Sequence, residues 1–365
     1  MIIKTIILSL IICASIFAKA GSTFTGSRAM GMGNANRANA DDASATYLNP
    51  ACLDLFQEHM QLSVNLSFFG NPALSDLASF SVNQGKKLGD LKKIDHSLYE
   101  DMRPFDLKWL GVGINPNVAF MARTFDLTWG ASYYWHTPLR LMLESGVLVP
   151  KFFVGAQMDQ VLTASVAKRF GRRLSLGASL KFTDRYAIPD RPLTLSELLE
   201  FTPKFSSKEE AIDALDPLLE HTTGPGLDVG AVFHFGSLKL ATTLQDFPSY
   251  MGGELLRPRL SLASAYKILP LMETKLVEDA TVTMDIADIM RYGNFLTKLN
   301  LGAELRIKNL DLRAGVHQGY ITAGTTLNFF IFHFDYLHFT EEIGDYPGFM
   351  PASVHFIQLG ADIRF

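Results

Sequence analysis

Cysteine and long apolar stretches are both scarce in this chain, and each scarcity limits what the protein can be. Only two cysteines occur among 365 residues. Cys13 lies in the N-terminal apolar run, so Cys52 has no disulfide partner in an exported chain. After residue 20 no apolar run reaches the length of a transmembrane helix. Positive charge is not in excess either, with 33 basic against 37 acidic residues, which argues against a nucleic-acid partner.

Residues 1–20 have the three parts of a secretory signal peptide. Lys4 supplies the positive start, residues 5–17 are apolar, and Ala18-Lys19-Ala20 is typical of a cleavage site. Cleavage removes Lys4 and Lys19, leaving 31 basic and 37 acidic side chains. An exported chain with 48% hydrophobic residues and no second apolar helix is either a soluble periplasmic protein or an outer-membrane β-barrel. Only helices and closed barrels satisfy every backbone hydrogen bond in lipid.

Alternation of apolar and polar residues with period two recurs along the chain. It is clearest in residues 60–69, 174–183, 298–308, 310–317 and 357–365. One face of each segment is aliphatic or aromatic, and the other carries small polar or charged residues. This pattern is typical of barrel strands whose outer face meets lipid and whose inner face lines a wet lumen.

The connections between these segments alternate between short and long, as they do in outer-membrane barrels. Tight turns are predicted near Gly171, Gly236 and Asn309. Long outer loops are predicted at about 70–116 and 189–225, with further long connections at 137–157, 248–256 and 341–351. The strands predicted between them are 60–69, 117–124, 127–136, 158–170, 173–188, 226–235, 238–247, 257–269, 278–290, 296–308, 310–320, 322–328, 331–340 and 352–365.

The fold class predicted is therefore all-β, a 14-stranded antiparallel transmembrane β-barrel spanning 60–365. A soluble β-sandwich is the alternative, but it explains less well the charges on the inner face and the aromatic Phe365 at the terminus. Aromatic residues near the outer strand ends are expected to form a girdle at the membrane interface; they are Tyr133, Tyr134, Trp135, Tyr320, Tyr336 and Phe339.

Motifs for catalysis are missing, so no enzyme and no cofactor is expected. Gly31-x-Gly33 lacks the third glycine, the preceding strand and the following helix of a dinucleotide fingerprint. His333, His338 and His355 lie on the last two strands, but no cysteine or closely spaced carboxylate joins them. Polar packing is the expected role of these histidines, and no metal site is predicted.

The predicted loop 189–225 carries two capping boxes, at Thr194-x-x-Glu197 and Ser207-x-x-Glu210. Two helices are therefore expected in it. Its apolar residues could form a landing site for a hydrophobic ligand, or the two helices could simply pack on each other; the residues concerned are Leu195, Leu198, Leu199 and Phe201.

Residues 26–55 read GSRAMGMGNANRANADDASATYLNPACLDL. This segment resembles the N-terminal segment of the FadL-type outer-membrane transporter superfamily, which has PorV-like and TraF-like relatives. The family pattern is close to G-x-R-A-x-G-M-G-x-A, followed by A-D-D-x-S and then N-P-A. The resemblance implies that residues 21–59 form a hatch inside the barrel, with key positions at Gly31, Gly33, Asp41, Asp42, Asn49, Pro50 and Ala51.

The resemblance also implies a function, which is passive uptake of a hydrophobic small molecule such as a long-chain fatty acid across the outer membrane. Four cations on predicted inner positions are candidates to hold an anionic head group, unless nearby carboxylates neutralise them; they are Lys298, Arg306, Arg313 and Arg364. The alternative is a barrel that transports nothing and anchors a secretion, conjugation or attachment complex. Expected partners are outer-membrane lipid, a fatty acid or other hydrophobic ligand, and a periplasmic or secretion-system protein.

Overall fold

A computed structural model of the chain describes residues 26–72, 109–144, 151–194, 219–272, 276–344 and 346–365. Fourteen strands close into one antiparallel barrel, as predicted from the alternation. In chain order they are β1 Met60–Gly70, β2 Trp109–Thr124, β3 Leu127–Glu144, β4 Lys151–Phe170, β5 Leu174–Thr194, β6 Glu220–Phe235, β7 Leu238–Gln245, β8 Arg259–Lys267, β9 Asp279–Ile286, β10 Leu299–Ile307, β11 Leu310–His317, β12 Tyr320–Phe329, β13 Phe332–Glu342 and β14 Pro351–Arg364.

The barrel closes where β1 pairs with β14, from Gln61 opposite Arg364 to Gly70 opposite His355. On β1 the outward side chains are apolar and exposed, whereas the inward side chains, such as Ser63 and Ser67, are small, polar and buried. The same apolar outer face runs around the barrel. A closed ladder with an apolar outer surface is stable only in lipid, so this barrel spans an outer membrane.

Several strands run further than the alternation predicts. β3 extends to Glu144 and β4 starts at Lys151, where a connection over 137–157 is predicted. Likewise β5 ends at Thr194 and β6 starts at Glu220, within the predicted loop 189–225. β1 ends at Gly70 and β2 starts at Trp109. These extensions lie at the outer ends, where no lipid imposes an apolar outer face, so the period of two fades while the ladder continues.

Pro116 lies in a break in the pairing of β2 with β3, and Pro138 lies in a break in the pairing of β3 with β4. Proline cannot donate to a ladder. Next to the first break, the Thr137 hydroxyl donates to the Ile114 carbonyl at 2.6 Å and accepts from the Ile114 amide at 3.0 Å. His136 contacts the Asn115 amide oxygen at 3.2 Å. Side chains thus replace the missing backbone bonds.

Three of the six predicted girdle residues, Tyr134, Tyr320 and Phe339, instead lie on the inner face of their strands. Tyr134 and Phe339 have only 4% and 7% of their surface exposed. Consecutive side chains on a strand point to opposite faces. Tyr133, Tyr134 and Trp135 therefore cannot all face lipid, and the outward pair is Tyr133 and Trp135, whose side chains hydrogen-bond each other at 2.6 Å.

Short helices complete the described residues. They are α1 Gly26–Gly31, α2 Ala45–Leu48, the 3-10 helix Pro50–Leu55, α3 Leu269–Met272 and the 3-10 helix Phe295–Thr297. None of the helices in these ranges is long and apolar enough to cross a membrane. Tyr250–Met251 and Glu254–Leu255 form a small hairpin outside the main sheet.

Candidate functional site: a lumenal plug and the cavity above it

Residues 26–56, called the plug here, lie inside the barrel and contact its inner wall. α1 ends in a Schellman motif, because the Asn34 amide donates to the Ala29 carbonyl at 2.6 Å and the Gly33 amide donates to the Met30 carbonyl at 3.1 Å. Gly33 has a φ of +64°, the conformation that this motif requires. The Gly-x-Gly of the sequence is therefore a helix stop.

Glycines on the inner wall make room for the plug backbone. A β-carbon at Gly315 would lie 2.5 Å from the Gly33 amide, and one at Gly302 would overlap the Met32 carbonyl. On the opposite side, a β-carbon at Gly177 would overlap the backbone of Pro50 and Ala51. Plug and wall are thus in backbone contact on both sides of the lumen. The sequence signal for this contact is a glycine at an inward position of an alternating strand.

The second half of the plug is hydrogen-bonded to the wall formed by β3–β6. The Thr46 hydroxyl lies 2.9 Å from that of Ser132, and the Thr46 carbonyl accepts from the hydroxyls of Ser165 and Ser179 at 3.3 and 3.2 Å. Nearby, the Asp54 carboxylate accepts from Arg169 at 2.6 Å. Every polar group named here finds its partner across the plug–wall boundary.

Asn49, Pro50 and Ala51 form the turn that starts the 3-10 helix. The Asn49 amide group donates to the Arg37 carbonyl at 2.7 Å, and its oxygen accepts from the Ala51 amide at 3.1 Å. Pro50 occupies the first helical position, where its missing N–H costs nothing. Fully buried Asn49 thus ties two plug segments together.

A buried charge cluster fixes the first half of the plug to the opposite wall. Arg28 forms a bidentate pair with Glu304 of β10, at 2.9 and 2.7 Å. The same guanidinium also contacts the carboxylates of Asp41 and Asp42. Burial by itself raises the pKa of Asp41, but the attraction of Arg28 and Arg306 outweighs it and holds that pKa well below its ordinary value.

Arg306 and Arg313, both candidates for holding an anionic head group, belong to the same cluster. Arg313 donates to Glu304 at 2.8 Å and to Asp311 at 3.1 Å. Arg306 lies 3.0 Å from Glu304 and 3.4 Å from Asp41. Asp42 also contacts Arg28, so three arginines face four carboxylates in this cluster. Nearby carboxylates therefore neutralise Arg306 and Arg313, which is the alternative considered for them from the sequence.

The other two candidate cations are far from this cluster. Lys298 follows the 3-10 helix of the outer loop 287–298, and its ammonium group donates to the Ile289 carbonyl at 3.3 Å. Arg364 is exposed at the periplasmic end of β14. The predicted ligand-contacting residues Leu195, Leu198, Leu199 and Phe201 lie outside the described residues.

Above the plug, on the side of the outer loops, the lumen holds a cavity of about 820 Å³. Its floor is plug, including Met30 and Tyr47. One wall is apolar and belongs to β13, β14 and β1, with Phe339, Val354, Phe356 and Phe69. The wall opposite is charged and comprises Lys181, Asp228, Asp246, Arg257, Arg259, Asp288, Arg291 and Lys298.

The three histidines of the last strands do not form a metal site. His338 and His355 lie with ring centroids 4.8 Å apart on the outer face, and the Tyr336 hydroxyl contacts His355 at 2.7 Å. His333 is on the inner face and contacts Gln358 at 3.3 Å. Across the described residues, no group of three or more histidine, cysteine and acidic side chains is placed to bind a metal.

Cys52 is expected to be unreactive in the folded protein. The residue is fully buried in the plug, where its thiol contacts the Arg37 carbonyl, and burial raises the pKa of the thiol to about 12. Because the thiolate is the reactive form, a maleimide at pH 7.5 should label Cys52 only after heat denaturation. A Cys52→Ala protein carrying Asp126→Cys in an exposed turn is the positive control. Labelling of native Cys52 at the rate of that control would contradict the expectation.

No model of a known protein family matches the sequence, and no curated protein matches it. The fold does match solved structures. The Ralstonia pickettii toluene transporter TbuX is 12% identical with a TM-score of 0.57, covering 93% of this chain and 98% of its own. The monoaromatic hydrocarbon channel CymD is 13% identical with a TM-score of 0.57, covering 93% and 97%.

The Pseudomonas putida toluene transporter TodX is 13% identical with a TM-score of 0.52, covering 95% of this chain and 98% of its own. These likenesses extend over nearly the whole of each chain, so they describe the complete barrel and not one hairpin. Together with the closed fourteen-stranded barrel, they show that this outer-membrane protein has the fold of the FadL-type hydrocarbon channels.

Proposed function

We propose that this protein takes up a hydrophobic small molecule across the outer membrane. The observation that carries the proposal is the cavity, which has about 820 Å³ of space, an apolar wall and a floor made by the plug. Binding sites for small molecules are concave, largely apolar and fitted with a few placed polar groups. Channels of the same fold are named for toluene and monoaromatic hydrocarbons.

The charged wall favours an amphiphile with an anionic head, such as a long-chain fatty acid. Most of its cations are paired, since Lys181 lies 2.7 Å from Asp228 and Arg259 lies 2.8 Å from Asp246. Arg291 donates to the Thr297 hydroxyl at 3.0 Å. In the part of the chain that the structure describes, neither Arg291 nor Lys298 has a carboxylate partner. These two cations at the cavity rim would hold the head group while the hydrocarbon chain lies on the apolar wall.

Uptake of [14C]oleate by a bacterial host that lacks its own transporter tests the proposal. The wild-type protein should raise the initial rate several-fold over empty vector. Removing both rim charges, Arg291→Gln with Lys298→Gln, should raise the KM for oleate about fivefold, because two exposed charge contacts are worth about 1 kcal/mol together. Uptake of [14C]toluene should be unchanged by this pair.

The outcomes separate the two functions considered. Oleate and toluene uptake equal to empty vector, by protein that is folded in the outer membrane, would refute transport and favour a scaffold for a secretion or attachment complex. If both probes are taken up and the rim substitutions have no effect, transport is supported, but the binding of an anionic head group by Arg291 and Lys298 is refuted.

A further inference from the structure

On the wall formed by β13, β14, β1, β2 and β3, the inner face changes from apolar to polar between two adjoining rows. The strand register places opposite one another the members of an apolar row, which are Leu337, Phe356, Phe69, Gly113 and Pro138. Two residues nearer the periplasm, the same strands supply a polar row, which comprises Asp335, Gln358, Ser67, Asn115 and His136. On β13, β14 and β1 this change of polarity lies at the floor of the cavity, whereas on β2 and β3 it lies within the cavity, since Asn115 and His136 line it.

Below the polar row the inner face of β13, β14 and β1 stays mainly polar down to the periplasmic end, whereas on β2 it becomes apolar at Ala119 and Met121, which pack against the plug. Asn65 and Asn117 face each other across β1 and β2. The side-chain oxygen of each is buried and has no hydrogen-bond partner among the residues that the structure describes. Next to them, His333 and Asp362 are partly accessible on the inner face. Unpaired acceptors along a lumenal wall suit a wet path.

The hydrophobic plug side chain that packs against this apolar wall is Met30, among the residues that the structure describes. Met30 of α1 packs against the cluster of Leu337, Phe339, Val354 and Phe356, and it also borders the cavity. Beside it, in the described part of the chain, the Ser27 hydroxyl donates a hydrogen bond to Asp335 of the polar row at 2.6 Å. Methionine is unbranched and changes rotamer easily.

Elsewhere the plug is attached far more firmly. Arg28 is held by Glu304 and the aspartates, and Thr46 and Asp54 are hydrogen-bonded to the wall of β3–β6. Displacing the whole plug would break all of these buried contacts together, leaving charges unpaired. Passage along the Met30 wall requires none of them to break.

We infer that the transported molecule leaves the cavity past the side chain of Met30, along the wall of β13, β14 and β1, while the rest of the plug stays docked. This inference rests on the proposed function. The Met30 side chain packs on Leu337 and Phe356 and thereby closes the path at the polarity boundary. A rotamer change at Met30 opens it, and the polar row beneath receives the head group of the passing molecule.

Changing the size of the gate side chain tests its role in [14C]oleate uptake. Met30→Trp should reduce the initial rate at least fivefold, and Met30→Ala should raise it at least twofold. The matched control is Met284→Trp, because Met284 lies on the outer, lipid-facing side of β9 and this variant should transport like the wild type. Heat-modifiable migration on gels verifies that each barrel is folded, and Met30→Ala retains the test if the larger side chain prevents folding.

A disulfide lock tests whether the plug must move. In a Cys52→Ala protein, Gly31→Cys and Gly324→Cys place two thiols where α1 meets β12, since a β-carbon at Gly324 would lie 3.2 Å from the Gly31 α-carbon. A β-carbon at Gly31 would likewise lie 3.7 Å from the Gly324 α-carbon, so the two introduced side chains face each other, as a disulfide requires. The oxidised and reduced forms of this protein should take up oleate at rates within twofold of each other.

Two results would overturn the inference while leaving transport intact. One is loss of uptake on oxidation of the lock with recovery on reduction, which would mean that α1 has to leave the wall. The other is a Met30→Trp protein that is folded and transports like the wild type. Failure of the proposed function looks different, because the wild type itself would then match empty vector, and the inference would fall with it.

Discussion

Replacing Glu304 by glutamine should release the first half of the plug from the barrel wall. The carboxylate is fully buried and accepts from Arg28, Arg306 and Arg313. Glutamine keeps the shape but removes the charge, so three guanidinium groups remain around a neutral side chain. Removing one partner from a buried charge network costs about 3–5 kcal/mol. The barrel ladder does not depend on these contacts, so the expected phenotype is a folded barrel with a loosened plug.

Vancomycin susceptibility of cells producing the variant measures the loosening, because this large antibiotic crosses an outer membrane only through an open lumen. Glu304→Gln should lower the inhibitory concentration at least fourfold, with unchanged heat-modifiable migration on gels. Glu278→Gln is the matched control, since Glu278 is an exposed glutamate just before β9, the strand that pairs with the β10 strand of Glu304. Susceptibility equal to that of the control would mean that the charge cluster does not hold the plug.

Gly33→Ala should undo the docking of the plug on β10 and β11. At the φ of +64° an alanine costs roughly 1–2 kcal/mol. The larger effect is steric, because the new β-carbon would lie 2.6 Å from the Val316 carbonyl oxygen and would also overlap the Leu301 carbonyl. Both acceptors belong to paired strands that cannot give way, so α1 has to lift off the wall. Proteolysis of residues 26–56 in isolated outer membranes should become at least tenfold faster.

Gly171→Ala is the control that separates the steric clash of a new β-carbon from the cost of a left-handed backbone conformation. Gly171 has nearly the same φ, +63°, but an added β-carbon there meets no atom within 4 Å. This variant should therefore leave plug proteolysis at the wild-type rate. Equal acceleration in both variants would show that left-handed backbone strain alone is responsible, and no acceleration in Gly33→Ala would show that the plug does not dock at this glycine.

Strand number and face could be read from the residues because lipid imposes a period of two wherever a strand crosses it. In 60–69 and 357–365 every outward position is apolar, and these segments became β1 and β14 as predicted. The same rule failed at the outer ends of β3, β4 and β5, where both faces are out of lipid. Tyr134, Tyr320 and Phe339 were wrongly assigned to the lipid-facing girdle, because that assignment rested on aromatic composition near the strand ends and not on strict alternation.

The contacts between the plug and the barrel wall could not be predicted from the alternating pattern. Arg28 and Glu304 are separated by 276 residues, and nothing local to either one indicates the other. For Arg306 and Arg313 the alternating pattern already indicated carboxylate neighbours on the wall, but only the fold brought Asp41 and Arg28 of the plug beside them. Inward glycines such as Gly177 and Gly302 were visible in the alternating pattern, but their partners were not.

The sequence by itself determined a fourteen-stranded barrel; its loop lengths predicted a direction through the membrane, and its resemblance predicted a hatch at the N-terminus. These features follow from local periodicity, which a lipid boundary enforces residue by residue. Only the tertiary structure decided which plug groups bind which wall, where the cavity lies, and that an apolar wall faces a charged one across it. Those features depend on barrel closure, which brings together side chains hundreds of residues apart and leaves no trace in the spacing of either segment alone.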